Sequence, residues 1–234
     1  MLSFPPFLQM GTRFAAAGLI LMAFARYRQM AMPSQAEWFN AFILASLMLL
    51  GGYGLTALAE VHVGSGLVVA FIAVVPALVA FMQSFYGDRP SRRQAAGIAT
   101  GLIGVLFLAQ GQGFATDWRG LAAISAACLL WALGSVWAVR GLPGGHSLKM
   151  ASGIMGTASQ MLAGGLLLCM AAALLGERLE WNLPQADVLR AVASWVYLVV
   201  AGSLLAYTAY MYLLQHTTPT LASSYSYVNP LIGM

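Results

Sequence analysis

Along this chain the charged positions are confined to short gaps between long apolar runs. Uncharged stretches extend over Trp38 to Ala59, Val61 to Gly87, Gln94 to Thr116, Gly120 to Val139 and Met150 to Gly176. Each is long enough to cross a bilayer as a helix, which takes about 20 residues. From Ala191 to Met234 no charge occurs, and that run accommodates two crossings joined by a turn near His216 to Pro219. A further span from about Pro5 to Ala25 brings the predicted number to eight. Backbone amides in lipid must be satisfied within the protein, and period-two alternation is absent, so the spans read as helices and not barrel strands. The fold class is all-α integral membrane.

Composition strengthens this reading. Of the 234 residues 60% are hydrophobic and 8% charged, with a mean hydropathy of +0.79; a soluble domain carries roughly a quarter charged residues. Cys128 and Cys169 fall inside spans and read as packing, with no disulfide framework or metal pattern. The opening MLSFPPFLQM has no basic region ahead of an apolar core, so it does not read as a cleaved signal peptide. The net charge of +4 serves orientation, and the chain lacks the basic surface that a nucleic-acid partner requires.

Alternating the loops between two sides places Arg26, Arg28, Arg89, Arg92, Arg93, Arg140 and Lys149 together, against Arg119, Arg178 and Arg190 on the other side. Basic loops stay in the cytoplasm, so the first side is cytoplasmic and both ends of the chain as given point outward.

The chain also resembles itself. A shift of 147 residues lays Thr12 to Ala25 over Ser159 to Ala172, matching Gly18 with Gly165 and pairing Arg13 with Gln160. A shift of 154 lays Tyr53 to Leu78 over Tyr207 to Ile232, matching Tyr53 with Tyr207, His62 with His216 and Pro76 with Pro230. The paired segments lie five spans apart and therefore cross in opposite senses, an inverted repeat of the kind found in secondary transporters. Two five-helix halves follow, 1–113 and 114–234, with the first and tenth helices absent and the ninth cut short. The expected architecture is a ten-helix fold of which about eight helices are present.

Four stretches carry a family resemblance: PPFLQMGTRFAAAGLIL (Pro5 to Leu21), SFYGDRPSRRQAAGIATGLIGVLFL (Ser84 to Leu108), WALGSVWA (Trp131 to Ala138) and GSLLAYTAYMYLLQHTTPTLASSYSYVNPLIG (Gly202 to Gly233). In order and spacing they resemble EamA-domain permeases of the drug/metabolite transporter superfamily. The resemblance implies a multi-pass protein of the bacterial inner membrane that exports amino acids, metabolites or drugs through a cavity between inverted repeats.

The candidate substrate-binding residues are Arg13, Tyr53, Pro76, Trp131, Gln160, Tyr207, Tyr225, Ser226, Asn229 and Pro230. Proline donates no hydrogen bond, so Pro76 frees the carbonyl of Ile72 and Pro230 that of Ser226. Ser226 and Asn229, three apart, place a polar stripe beside the second kink. Such a stripe suits a cavity wall, and equally suits hydrogen bonding between helices. Tyr53, Trp131, Tyr207 and Tyr225 offer stacking and hydrogen bonds to a solute, or serve as interfacial belt residues. Arg13 is a basic residue inside a span; it faces a cavity or partner, or else snorkels to the surface. Gly97, Gly101 and Gly104 present one smooth face, for packing inside the bundle or for a homodimer.

No carboxylate lies deep in a span, and three scattered histidines form no catalytic set, so a membrane-embedded enzyme is disfavoured and no cofactor is implied. The expected partners are the lipid bilayer and a small-molecule substrate. The expected activity is secondary transport by alternating access; the rival reading is a truncated, inactive or partner-dependent membrane protein.

Overall fold

The computed structural model describes residues 5–109, 117–178 and 185–229. Among them every regular element is helical. Six helices are long and apolar enough to cross a membrane: α1 (Pro6–Tyr27), α2 (Gln35–His62), α3 (Ser65–Ser84), α5 (Trp118–Arg140), α6 (Ile154–Leu174) and α7 (Asp187–His216). Between α3 and α5 lies α4 (Arg92–Ala109), and α8 opens at Pro219–Ser223 and tightens into a 3₁₀ turn over Ser224–Tyr227. These eight helices fall on the eight predicted spans. Leu19, Phe81, Leu166 and Leu205 are exposed on them; lipid solvates such side chains, whereas in water they would drive association.

The helix ends follow from local sequence. Pro6 occupies the first turn of α1, where its missing N–H costs nothing. The amides of Phe7 and Leu8 donate to the carboxylate of Glu177 at 3.2 and 2.8 Å, so the start of α1 is capped from a distant part of the chain. Ser34 and Glu37 form a reciprocal capping box at the start of α2. Asp117 caps α5, and Gly141, at φ 78°, ends it.

The chain packs as two compact units. One comprises Met1–Leu50 and Leu148–Tyr212, the other Gly51–Ser147 and Leu213–Met234. Each unit draws on both halves of the sequence.

In the first unit α1 packs along α6, and α7 packs on α1. The α1–α6 crossing is made by glycines. A Cβ on Gly18 would lie 2.9 Å from the backbone nitrogen of Leu162, and a Cβ on Gly165 would lie 2.6 Å from that of Ala15. The 147-residue shift carries Gly18 to Gly165 and Ala15 to Leu162, so each contact is the sequence image of the other.

Both α2 and α7 contain a stretch of π-helix, at Ser46–Gly54 and Leu198–Tyr207. The 154-residue shift carries the first stretch onto 200–208, which overlaps the second. Such wide turns are rare and concentrate at functional sites.

In the second unit the final segment of α2 and both parts of α3 pack on α5, and α8 packs on the second part of α3. The helix α3 breaks at Ala73 and Val74, where the amide of Val74 donates to the carbonyl of Phe71 at 2.9 Å, and it resumes with Pro76 in the first turn. Pro76 is buried at this break, which is the kink expected of it. On α4, Gly101 faces the ring of Tyr227 within this unit, whereas Gly97 has open space beside it. Gly104 lies where side chains are outside the described residues.

Candidate functional site

A cavity of about 160 Å³ lies in the second unit between α2, α3, α5 and α8. Its wall includes Gly52, Tyr53, Thr56, Ile72, Cys128, Trp131, Tyr225, Ser226 and Asn229. Four of the predicted residues from distant parts of the chain therefore meet Tyr53 at one place. Tyr53 and Trp131 stand edge to face, with ring centroids 5.2 Å apart and planes at 87°. Gly52 allows this: a Cβ there would lie 2.7 Å from Cε3 of Trp131.

The polar atoms of the wall are held by their own helices. Thr56 donates its hydroxyl to the carbonyl of Gly52 at 2.7 Å, and Ser226 donates to that of Ser223 at 2.6 Å. Ser223 and Ser224 likewise donate to Pro219 and Leu221. This back-bonding satisfies hydroxyls that would be costly in lipid, and it leaves their oxygens as acceptors. Cys128 points its thiol at the carbonyl of Phe71, 3.5 Å away, at the break in α3. The amide of Asn229 has no hydrogen bond among the described residues. Among the described residues the lining holds no charged side chain. A site of this kind is suited to an apolar or aromatic body, with one or two polar groups met by Asn229 and the hydroxyl oxygens.

Arg13, Gln160 and Tyr207 lie in the first unit. Arg13 is only 4% exposed, so it does not snorkel. Its guanidinium carbon sits 4.7 Å from the centroid of the Phe14 ring, and Phe14 meets Tyr207 edge to face at 5.8 Å. Gln160 is fully buried, and its amide nitrogen lies 3.6 Å from the sulfur of Met48. A Cβ on Gly202 would lie 3.9 Å from the Arg13 guanidinium and equally far from Leu198 Cδ2. Arg13 thus lies beside Gly202 in the π-helical stretch of α7, and the 154-residue shift carries Met48, the neighbour of Gln160, to Gly202. Thr12 accepts a hydrogen bond from the indole of Trp195 at 3.1 Å.

Pro230 lies outside the described residues. Thr56, Cys128 and Gly52 belong to the wall without having been singled out from the sequence. Thr56 stands three residues after Tyr53, and Cys128 three before Trp131. The helical spacing of three that joined Ser226 to Asn229 was the available signal.

Comparison with known proteins identifies the family. The EamA-like transporter family matches residues 1–110 and 118–234. The chain is 34% identical over 233 residues to the uncharacterized inner membrane transporter YedA of Escherichia coli (strain K12), covering 99% of this chain and 72% of YedA. It is 27% identical over 237 residues to the WAT1-related protein At3g02690, chloroplastic, of Arabidopsis thaliana, covering 97% of this chain and 55% of that one. A crystal structure at 19% identity superposes with a TM-score of 0.74 over 100% of this chain and 78% of its own, which shows a shared fold. With nearly every residue matched, the chain belongs to the EamA-like transporter family, and it is a multi-pass helical membrane transporter of the inner membrane.

Proposed function

We infer that the protein carries a small organic solute, of the amino-acid, metabolite or drug class, by alternating access, and that the cavity at Tyr53 and Trp131 receives it. The observation that carries this reading is the wall itself. Aromatic faces and unspent acceptors gather where α3 is broken and where α8 narrows to a 3₁₀ turn. Discontinuous helices of this kind form solute sites in transporters, because their exposed backbone needs a cavity to face.

The division into repeats at 1–113 and 114–234 belongs to the same proposal. It is supported by the mirrored contacts of Gly18 and Gly165, by the π-helical stretches at matching positions, and by the paired settings of Arg13 and Gln160. Arg13, Gln160 and Tyr207 then contribute to solute recognition or to the change of state, from the first unit. Work of this kind needs affinity and conformational change, with no bond made or broken.

The test is counterflow in proteoliposomes holding the full chain, with a panel of neutral and zwitterionic amino acids and aromatic metabolites. Saturable exchange of at least one solute, abolished in Trp131→Ala, is the expected result. Exchange no faster than in empty liposomes for the whole panel, or exchange indifferent to Trp131→Ala, would overturn it.

A further inference from the structure

A second cavity of about 390 Å³ lies in the second unit, on the side that the arginine distribution marks as cytoplasmic. It is walled by the end of α3, the loop before α4, the end of α5 and the start of α8. Its character differs from that of the aromatic site. Two arginines, Arg89 and Arg140, line it together with Gln83, Gln94, Thr218 and Thr220, against one carboxylate, Asp88.

Several contacts hold these groups in place. Gly87, at φ 86°, turns the chain so that Asp88 and Arg89 follow directly at the wall. Asp88 pairs with Arg140, and the hydroxyl of Tyr86 donates to the carbonyl of Gly141 at 3.0 Å. Both contacts tie the loop to the end of α5. Ser91 and Gln94 form a reciprocal pair at the start of α4, in which the Gln94 carbonyl oxygen accepts from the Ser91 amide at 2.9 Å. That use of its oxygen leaves the Gln94 amino group for other partners.

Gln83 is the informative residue. It is 5% exposed, yet it lines the cavity. Thr220 donates its hydroxyl to the Gln83 carbonyl oxygen, and among the described residues the Gln83 amino group has no acceptor. That amino group is not sealed off, because Gln83 lines the cavity, so a ligand oxygen placed there can accept from it. Arg89, too, has no carboxylate partner among the described residues. In Arg140, Nη2 faces Asp88, which leaves the rest of its fork of donors available.

We propose that this pocket binds a phosphate group: Arg89 and Arg140 supply charge and forked donors, and the amides of Gln83 and Gln94 complete the contacts. Donors on three separate walls suit the tetrahedrally disposed oxygens of a phosphate better than the two coplanar oxygens of a carboxylate. Arginine is the side chain suited to that geometry. Arg92 and Arg93, exposed at the start of α4, add positive potential at the rim. The phosphate comes from an acidic lipid headgroup at the inner leaflet or from a dissolved phosphate in the cytoplasm, two sources with one chemistry.

The test is thermal unfolding of the full chain in detergent. One arm titrates inorganic phosphate against chloride at matched ionic strength; the other adds phosphatidylglycerol against phosphatidylcholine. Binding should raise the midpoint by about 3 °C at roughly ten times the dissociation constant. The double variant Arg89→Gln with Arg140→Gln should weaken the apparent affinity by at least about tenfold. Arg178→Gln, outside the pocket, should leave the response intact. A response to inorganic phosphate identifies the dissolved source, and one to phosphatidylglycerol alone identifies the headgroup; both support the pocket. No response in either arm, or a response that survives the double variant, overturns it. If the double variant does not fold, Arg89→Gln alone decides: it replaces an exposed side chain and must still weaken binding several-fold.

Discussion

Gly52 lies against the ring of Trp131, and a single added carbon at Gly52 would come within 2.7 Å of Cε3. The indole is rigid and is braced by Tyr53 on its other contact, so it has no inexpensive way to move. Gly52→Ala should therefore destabilise the second unit by about 1–3 kcal/mol. The check is the unfolding midpoint of the purified variant. Gly52→Ala in a Trp131→Phe background should recover most of the loss, because the smaller ring vacates the contested space. A Gly52→Ala midpoint equal to that of the unaltered chain would show that the ring is free to shift.

Asn229 offers the cavity an amide that has no hydrogen bond among the described residues. Asn229→Leu should raise the KM for transport about tenfold, the worth of one polar contact, while kcat changes little. Unfolding should stay within about 1 °C, since the side chain is only half-buried. A fall in kcat at constant KM would instead place Asn229 in the conformational step.

The mirrored glycines of α1 and α6 make a symmetrical prediction. Gly18→Ala and Gly165→Ala each push a methyl group against backbone of the partner helix, at 2.9 and 2.6 Å. Backbone cannot swing away as a side chain does, so each should cost about 2 kcal/mol or more, and the two losses should be alike. The double variant should cost less than the sum, because the first substitution already separates the helices. Strongly unequal single losses in the unfolding midpoint would speak against an equivalent role at the crossing.

Glu177 reaches across the first unit to receive two amides at the start of α1. Removing that cap by Glu177→Ala should cost about 1–2 kcal/mol. Glu177→Gln, which keeps one acceptor oxygen, should cost roughly half as much. Equal midpoints for Glu177→Ala and the unaltered chain would show that water caps the helix equally well.

Much of this arrangement was written in the spacing of residues. Apolar runs broken by charge set the helices, because a charged side chain is costly within lipid. Pro76 placed a break in α3 near where it occurs, because proline removes a donor wherever it stands. The link among Tyr53, Trp131, Tyr225, Ser226 and Asn229 was partly legible, through polar and aromatic side chains that had no other evident use. In the sequence Cys128 reads as packing, and its thiol rests on a helix carbonyl, yet the same side chain lines the cavity. The π-helical turns left no trace in composition, since widening a helix changes no residue type. Arg13, Gln160 and Tyr207 were grouped with the cavity residues by chemistry, but packing places them in the other unit, because each unit assembles helices from both halves of the chain.

A wide turn in a helix is, in genetic terms, an extra codon. The stretches Ser46–Gly54 and Leu198–Tyr207 overlap under the 154-residue shift. On the proposed repeat, one insertion in an ancestral half-length gene, copied when that gene doubled, would account for both. The feature would then be older than the two-fold chain that now carries it.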